Sequence, residues 1–302
     1  MSSPDSHKAV FFALGANTCI ALAKAAAASF TGSGAMLAEA LHSFADCGNQ
    51  VLLLIGMRLS KQPPTEDHPM GHGKVIYFWS LLVAVLLFSV GGLFSIYHGI
   101  GSLRHPEPVK YLLPSIGVLA VAVVAEGVAL RGALKSLAAE RGGNSLWRWF
   151  RETRQSELLV VVGEDIAALS GLAVALLALA LTALTGNPVF DALGSIGVGV
   201  LLVVVAFLVL FEVQSLIAGE SVSPALRAEI RAFVEAQPEV ERVVNMITQQ
   251  FGDYMMVALK VKMAPMPSDV ALVAAINEVE ERLQRRFTRP QLRFSFFEPD
   301  AG

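Results

Sequence analysis

The sequence predicts a helical membrane protein, a bundle of six transmembrane helices, with a small α+β domain at its C-terminal end. Three observations predict this. Apolar residues make up 54% of the chain and charged residues only 16%, with a mean hydropathy of +0.57, too apolar for an ordinary soluble protein. Six segments reach the roughly 20 mostly apolar residues that span a bilayer. From Ser221 onward, apolar and charged positions alternate instead.

The six segments are 8–31, 34–59, 74–101, 111–137, 157–185 and 188–217. The first two are joined by Thr31-Gly32-Ser33-Gly34 and the last two by Thr185-Gly186-Asn187-Pro188. Both are short, uncharged, turn-forming stretches, so each defines a helical hairpin. Lysine and arginine placement gives the orientation. Arg58, Lys61 and Lys74 follow span two, and Arg131, Lys135, Arg141, Arg148, Arg151 and Arg154 follow span four; the opposite side holds Arg104 and Lys110. Both termini are therefore expected in the cytoplasm. The N-terminus lacks a basic region followed by a cleavage site, so the first apolar run reads as a retained span.

The expected division is a six-span membrane domain over 1–220 and a cytosolic domain over 221–302. Within the latter, 224–236 has helical periodicity with Leu226, Ile230 and Phe233 on one face. Residues 240–250 and 254–263 read as strands, 270–287 as a second amphipathic helix and 291–297 as a last strand. That order gives a sheet with its helices on one face. The net charge of −3 implies no bulk attraction to nucleic acid, and two cysteines, Cys19 and Cys47, make no disulfide framework.

Polar residues inside the spans carry the functional signal. A carboxylate at the bilayer centre costs about 2.5–3.5 kcal/mol on insertion scales, so such residues persist where they face the bundle interior and act there. In span two, His42 precedes Asp46 by four residues and shares its helix face; Asn49 and Gln50 extend the polar stripe by a turn. Imidazole nitrogen with carboxylate oxygen suits zinc, and a carboxylate-rich set extends the range to iron(II), manganese(II) and cobalt(II). The competing reading is a His–Asp pair that holds helices together.

Span five contributes Glu164 and Asp165, two adjacent acids that need a counter-charge in apolar surroundings. A metal ion is one. Lys24 in span one is another, unless it snorkels to the interface. The two acids point about 100° apart, so one is expected to aim at the cation. The other then serves as proton acceptor, as a partner behind the ligands or as an inter-helix hydrogen bond.

Asp67, His68 and His72 between spans two and three form a second metal candidate, with a tightly turned polar loop as the alternative. His98 and His105, at the outer end of span three, read as interfacial residues. Glu126 and Glu212 read as helix-packing or inter-subunit residues.

These stretches resemble the cation diffusion facilitator family, and within it the branch that includes the ninth human zinc transporter. The resemblance covers nearly the full length. It rests on Thr31-Gly32-Ser33, on His42-Ser43-x-x-Asp46, on His68-x-x-Gly71-His72-Gly73-Lys74, on Asp191-Ala-Leu-Gly194 and on the Asn49-Gln50 and Glu164-Asp165 pairs. It implies a homodimer exchanging a cytosolic divalent metal for protons, with His42, Asp46 and Asp165 as ligands. It also implies a ferredoxin-like, dimerising tail. The chain departs from the pattern at Val161, where the family's other span-five ligand stands, and Glu164 is expected to compensate. No histidine follows His105, which excludes a histidine-based metal sensor in the tail.

The expected function is proton-coupled efflux of a divalent transition metal, zinc first, with iron, manganese or cobalt as alternatives, across an inner or plasma membrane. The metal is cargo, and no cofactor or catalytic residue is expected. Two rivals stand beside it. One is a metal-binding partner subunit of a heterodimeric transporter. The other is an intramembrane metallohydrolase, against which the lack of an HExxH pair counts.

Overall fold

The computed structural model describes residues 4–109, 111–141, 143 and 145–300. Lys110, used in the orientation argument, lies outside them. The membrane part contains helices α1 (Pro4–Thr31), α2 (Gly34–Ser60), α3 (Val75–Arg104), α4 (Leu112–Arg141), α5 (Leu146–Glu152), α6 (Ser156–Thr185) and α7 (Val189–Ala218). The six long ones coincide with the six apolar segments to within a few residues. Among the described residues, α3, the Leu112–Gly132 part of α4, α6 and α7 are long and apolar enough to cross a membrane, and Thr18–Thr31 is a shorter apolar stretch. Helix α2 is continuous, but its apolar run is interrupted by Glu39, His42, Asp46 and Asn49.

Two features were not anticipated. The connection read as a basic loop from its arginines holds the short helix α5, where Arg148 pairs with Glu152 one turn on at 2.8 Å. Within α3, Leu87–Leu93 is π-helical, a distortion that recurs at functional sites.

The chain forms two compact units: 1–56 with 79–145 and 157–212, and 57–78 with 146–156 and 213–302. The first has its core among Met36, Leu87, Leu119, Leu172, Leu179 and Leu202. Its hairpin turns depend on Gly32 (φ +67°) and Gly186 (φ +69°), a backbone region that penalises any Cβ. Each amide closes its helix, Gly32 N onto Ala28 O and Gly186 N onto Thr182 O, both at 2.9 Å.

The start of α2 is capped from α7. Asp191 accepts hydrogen bonds from Ser33 Oγ (2.6 Å), Gly34 N (2.7 Å) and Ala35 N (3.4 Å). A carboxylate there satisfies the unpaired amides of the helix N-terminus and complements its dipole. This gives a physical reason for the Thr31-Gly32-Ser33 and Asp191 stretches to occur together.

In the second unit, α8 (Pro224–Glu235) and α9 (Asp269–Arg286) are capped by Ser223 and Ser268, which accept from Leu226 N and Ala271 N. Strands β1 (Val240–Phe251) and β2 (Tyr254–Met263) pair antiparallel. Strand β3 (Gln291–Pro299) adds parallel to β2, giving the order β1-β2-β3. Met255, Val257, Leu259 and Val261 alternate along β2 into a core closed by Ile230 and Val234 of α8 and Val279 and Leu283 of α9. Both helices therefore cover one sheet face, as the element order predicts.

The connection after α2 is built onto the β1–β2 turn. Tyr254 Oη accepts from Gly73 N (3.0 Å) and donates to Met70 O (2.6 Å), and Gly252 N donates to Tyr77 Oη (2.9 Å). Lys74 Nζ stands 5.2 Å above the Phe251 ring. A Cβ on Gly73 would lie 2.3 Å from Phe251 O and 2.7 Å from the Tyr254 ring. Gly73→Ala is therefore expected to destabilise this unit by about 1–3 kcal/mol, the usual range for overpacking. The check is limited proteolysis of the full chain, in which the 61–74 connection should be cut faster than in wild type.

Candidate metal centre

Helix α2 carries the polar face that its spacing predicts. His42 and Asn49 are fully buried. His42 Nδ1 lies 3.4 Å from Asp46 Oδ1, yet both ring nitrogens of His42, Asp46 Oδ1 and Asn49 Oδ1 have no hydrogen-bond partner. The three residues follow at i, i+4 and i+7, one stripe on one helix. A buried polar atom without a partner costs about 1–3 kcal/mol. A helix that leaves several on one face has them arranged for something that supplies partners, and unmatched imidazole and carboxylate donors fit a cation.

Opposite stands α6. Glu164 is 6% exposed and accepts from Asn49 Nδ2. Asp165 is next to it, and both acids line a cavity of about 40 Å³ with Ser43, Asp46, Gln50 and Glu126. Two acids about 100° apart on a helix can both border one cavity when it lies between their directions. The volume exceeds the roughly 10–15 Å³ a single water needs, so a partly hydrated ion fits. Val161, one turn before Asp165, forms an apolar wall. Among the described residues, no three His, Cys, Asp or Glu side chains already stand close enough to grip an ion.

Lys24 does not snorkel. It is 1% exposed, donates to Ser43 Oγ at 2.7 Å and lies 3.4 Å from Glu39 Oε2. Its ammonium is engaged with Glu39, a buried acid that no local pattern marks, rather than with Glu164 or Asp165. Glu126, expected in helix packing or between subunits, borders the cavity. No local pattern marks it; a lone acid in an apolar span is the one available signal.

The other candidates are not among the residues lining this cavity. The His68 and His72 ring centroids are 4.5 Å apart, and His72 Nδ1 is 3.3 Å from Pro63 O; Asp67 is exposed nearby. The His98 ring stands against Gly34, where a Cβ would lie 3.2 Å from it. His105 is exposed at the end of α3. Both cysteines are free thiols.

The fold and this donor set define an integral membrane protein with acids and an imidazole gathered inside its helical bundle. The chain belongs to the cation efflux family: the family's cation efflux transmembrane domain matches residues 10–217. It is 37% identical over 226 residues to the "Proton-coupled zinc antiporter SLC30A9, mitochondrial" of Mus musculus, covering 74% of this chain and 40% of that protein. It is 30% identical over 258 residues to metal tolerance protein C4 of Arabidopsis thaliana, covering 83% and 56%. Against the cation-efflux pump FieF of Escherichia fergusonii the identity is 26% over 261 residues, covering 85% and 81%. The chain spans about 40% of the length of the SLC30A9 relatives that it matches.

Proposed function

We propose that this protein exports a divalent transition metal, zinc first, from the cytosol in exchange for protons. The observation that carries the reading is the stripe of His42, Asp46 and Asn49 on α2, whose His42 ring nitrogens, Asp46 Oδ1 and Asn49 Oδ1 are buried without partners, facing the acids of α6. The relatives described as proton-coupled zinc antiporters support the choice of zinc and of protons. Iron, manganese and cobalt are the next candidates, because carboxylate oxygens outnumber the single imidazole.

In this mechanism metal reaches His42, Asp46 and Asp165 from the cytosol, with Glu164 assisting and Asn49 and Gln50 behind the ligands. The two hairpins then rock as bodies around a fixed midplane site, which opens to the far side. Protons arriving there compete for the same imidazole and carboxylates and release the metal. The site needs no second mobile element, since metal and protons occupy the same atoms in turn.

The six long helices are assigned as six spans, with both termini on the cytoplasmic side of an inner or plasma membrane. The basic residues after spans two and four support that orientation. The tail is assigned as a ferredoxin-like domain joining two copies of the chain into a homodimer. Its helix–strand–strand–helix–strand order with a parallel β2–β3 pair supports the fold. Asp67, His68 and His72 are assigned a relay or regulatory role rather than cargo carriage.

Val161 favours one rival, a partner subunit with little transport of its own. Uptake of zinc, iron(II), manganese(II) and cobalt(II) into proteoliposomes holding the purified protein alone tests the difference. The proposal expects zinc uptake without a second protein. Uptake that requires a different chain would support the rival.

A further inference from the structure

Glu126 is the one charged residue between 112 and 130. Its neighbours on α4, Val121, Val124 and Val128, are exposed on the helix exterior, whereas Glu126 is half-buried. It borders the cavity together with Asp46, Glu164 and Asp165. Four carboxylates thus surround about 40 Å³, while the nearby ammonium of Lys24 is engaged by Glu39 and Ser43.

Like charges this close in low dielectric repel strongly, and a packing residue gains nothing from facing them. A residue that binds a cation does. The second observation is independent of the acids. His42 is fully buried with both ring nitrogens unpartnered, and it stands 3.4 Å from Asp46, which lines the cavity. The wall at Val161 offers no donor atom, so a cation held between α2 and α6 alone lacks a ligand on that side.

We propose that Glu126 is a cargo-binding residue of the transport site, supplying from α4 the carboxylate oxygen that the α6 wall at Val161 lacks. The inference rests on the transport reading above. It makes the site a three-helix cradle of α2, α4 and α6. It also weights the donor set toward oxygen, which suits manganese(II) and iron(II) better than a nitrogen- or sulfur-rich set does.

Metal-binding isotherms with Zn²⁺ and with Mn²⁺ on the full chain in detergent test it. Thermal melts on the same samples report folding. Glu126→Gln keeps the volume and removes the charge. As the loss of a direct ligand, it is expected to weaken Mn²⁺ binding by more than the roughly 10–100-fold seen when ligand-supporting groups are lost, and to weaken Zn²⁺ binding less. Adding Val161→Asp in the same chain should restore Mn²⁺ binding, because it returns an oxygen to the same cavity. Glu126→Asp, one carbon shorter, should fall between and serves if the glutamine variant melts early.

Unchanged Mn²⁺ binding in a folded Glu126→Gln or Glu126→Asp chain would overturn the proposal. So would a loss that Val161→Asp leaves untouched. The transport reading fails separately: it falls if wild type binds neither ion, or if Asp46→Ala binds as well as wild type.

Discussion

Asp46→Ala is expected to abolish metal uptake while leaving the protein folded and no less stable without metal. Asp46 Oδ1 is buried without a partner, and such an atom costs about 1–3 kcal/mol. Removing it takes away a cost along with a ligand. A residue whose loss is neutral or stabilising and yet fatal to activity is held for function, not for packing. Losing a direct ligand should exceed the roughly 10–100-fold cost of losing groups behind the ligands. Paired thermal melts make this quantitative. Wild type should melt higher as zinc is added, by about 2.7 kcal/mol of stabilisation at a hundredfold excess over Kd. Asp46→Ala should show no such rise. A melting temperature that falls sharply without metal would instead mark the His42–Asp46 pair as structural glue.

The second large effect separates the neighbouring acids of α6. Asp165→Asn is expected to cost most of the metal affinity, and Glu164→Gln less. One oxygen of Glu164 is already engaged by Asn49, so less of its charge is available to cargo. Its replacement by glutamine keeps the volume and a hydrogen-bonding group, but it removes a site that protons and metal contest. Glu164→Gln should therefore shift the pH dependence or the metal preference of binding. Isotherms at two pH values read both. Equal losses would mean that the two acids grip the ion as one platform, which requires a locally distorted helix. A silent Asp165→Asn with a dead Glu164→Gln would reverse the two roles.

Much of this architecture is legible in the sequence, because long apolar runs punctuated by Thr-Gly-Ser-Gly and Thr-Gly-Asn-Pro leave few alternatives. The strands of the tail are legible for the same reason, their alternation being a local property. The stripe of His42, Asp46 and Asn49 needs nothing beyond helical periodicity. What the sequence hides is tertiary. Asp191 caps α2 from 157 positions away. Lys24 finds Glu39 rather than the α6 acids. Glu126 looks like any isolated acid until α4 is set against the cavity. Helix α5 escapes because seven residues are too few to show a period, and its arginines suggest a loop. The π-helical turn of α3 has no local signal that we recognise.

The Gly71-His72-Gly73-Lys74 stretch shows how one motif can hold two kinds of information. Its histidines suggest metal, whereas its glycines are explained by the close approach of Phe251 and Tyr254 and its lysine by the Phe251 ring. Packing accounts for part of the motif without any ion. His68 and His72 are the part it leaves over, and the pair stays with the proposed relay role.

Coupled flux through proteoliposomes containing the purified protein separates exchange from passive metal conduction. Zinc is added outside, a pH dye reports inside, and both are followed together. Inward zinc movement is expected to change the internal pH in the direction of outward proton movement, an imposed pH gradient to drive zinc uptake and to reverse it when inverted, and Asp46→Ala to lose both signals at once. Zinc flux that ignores the gradient and leaves the internal pH unchanged would contradict exchange and make the protein a metal channel or uniporter.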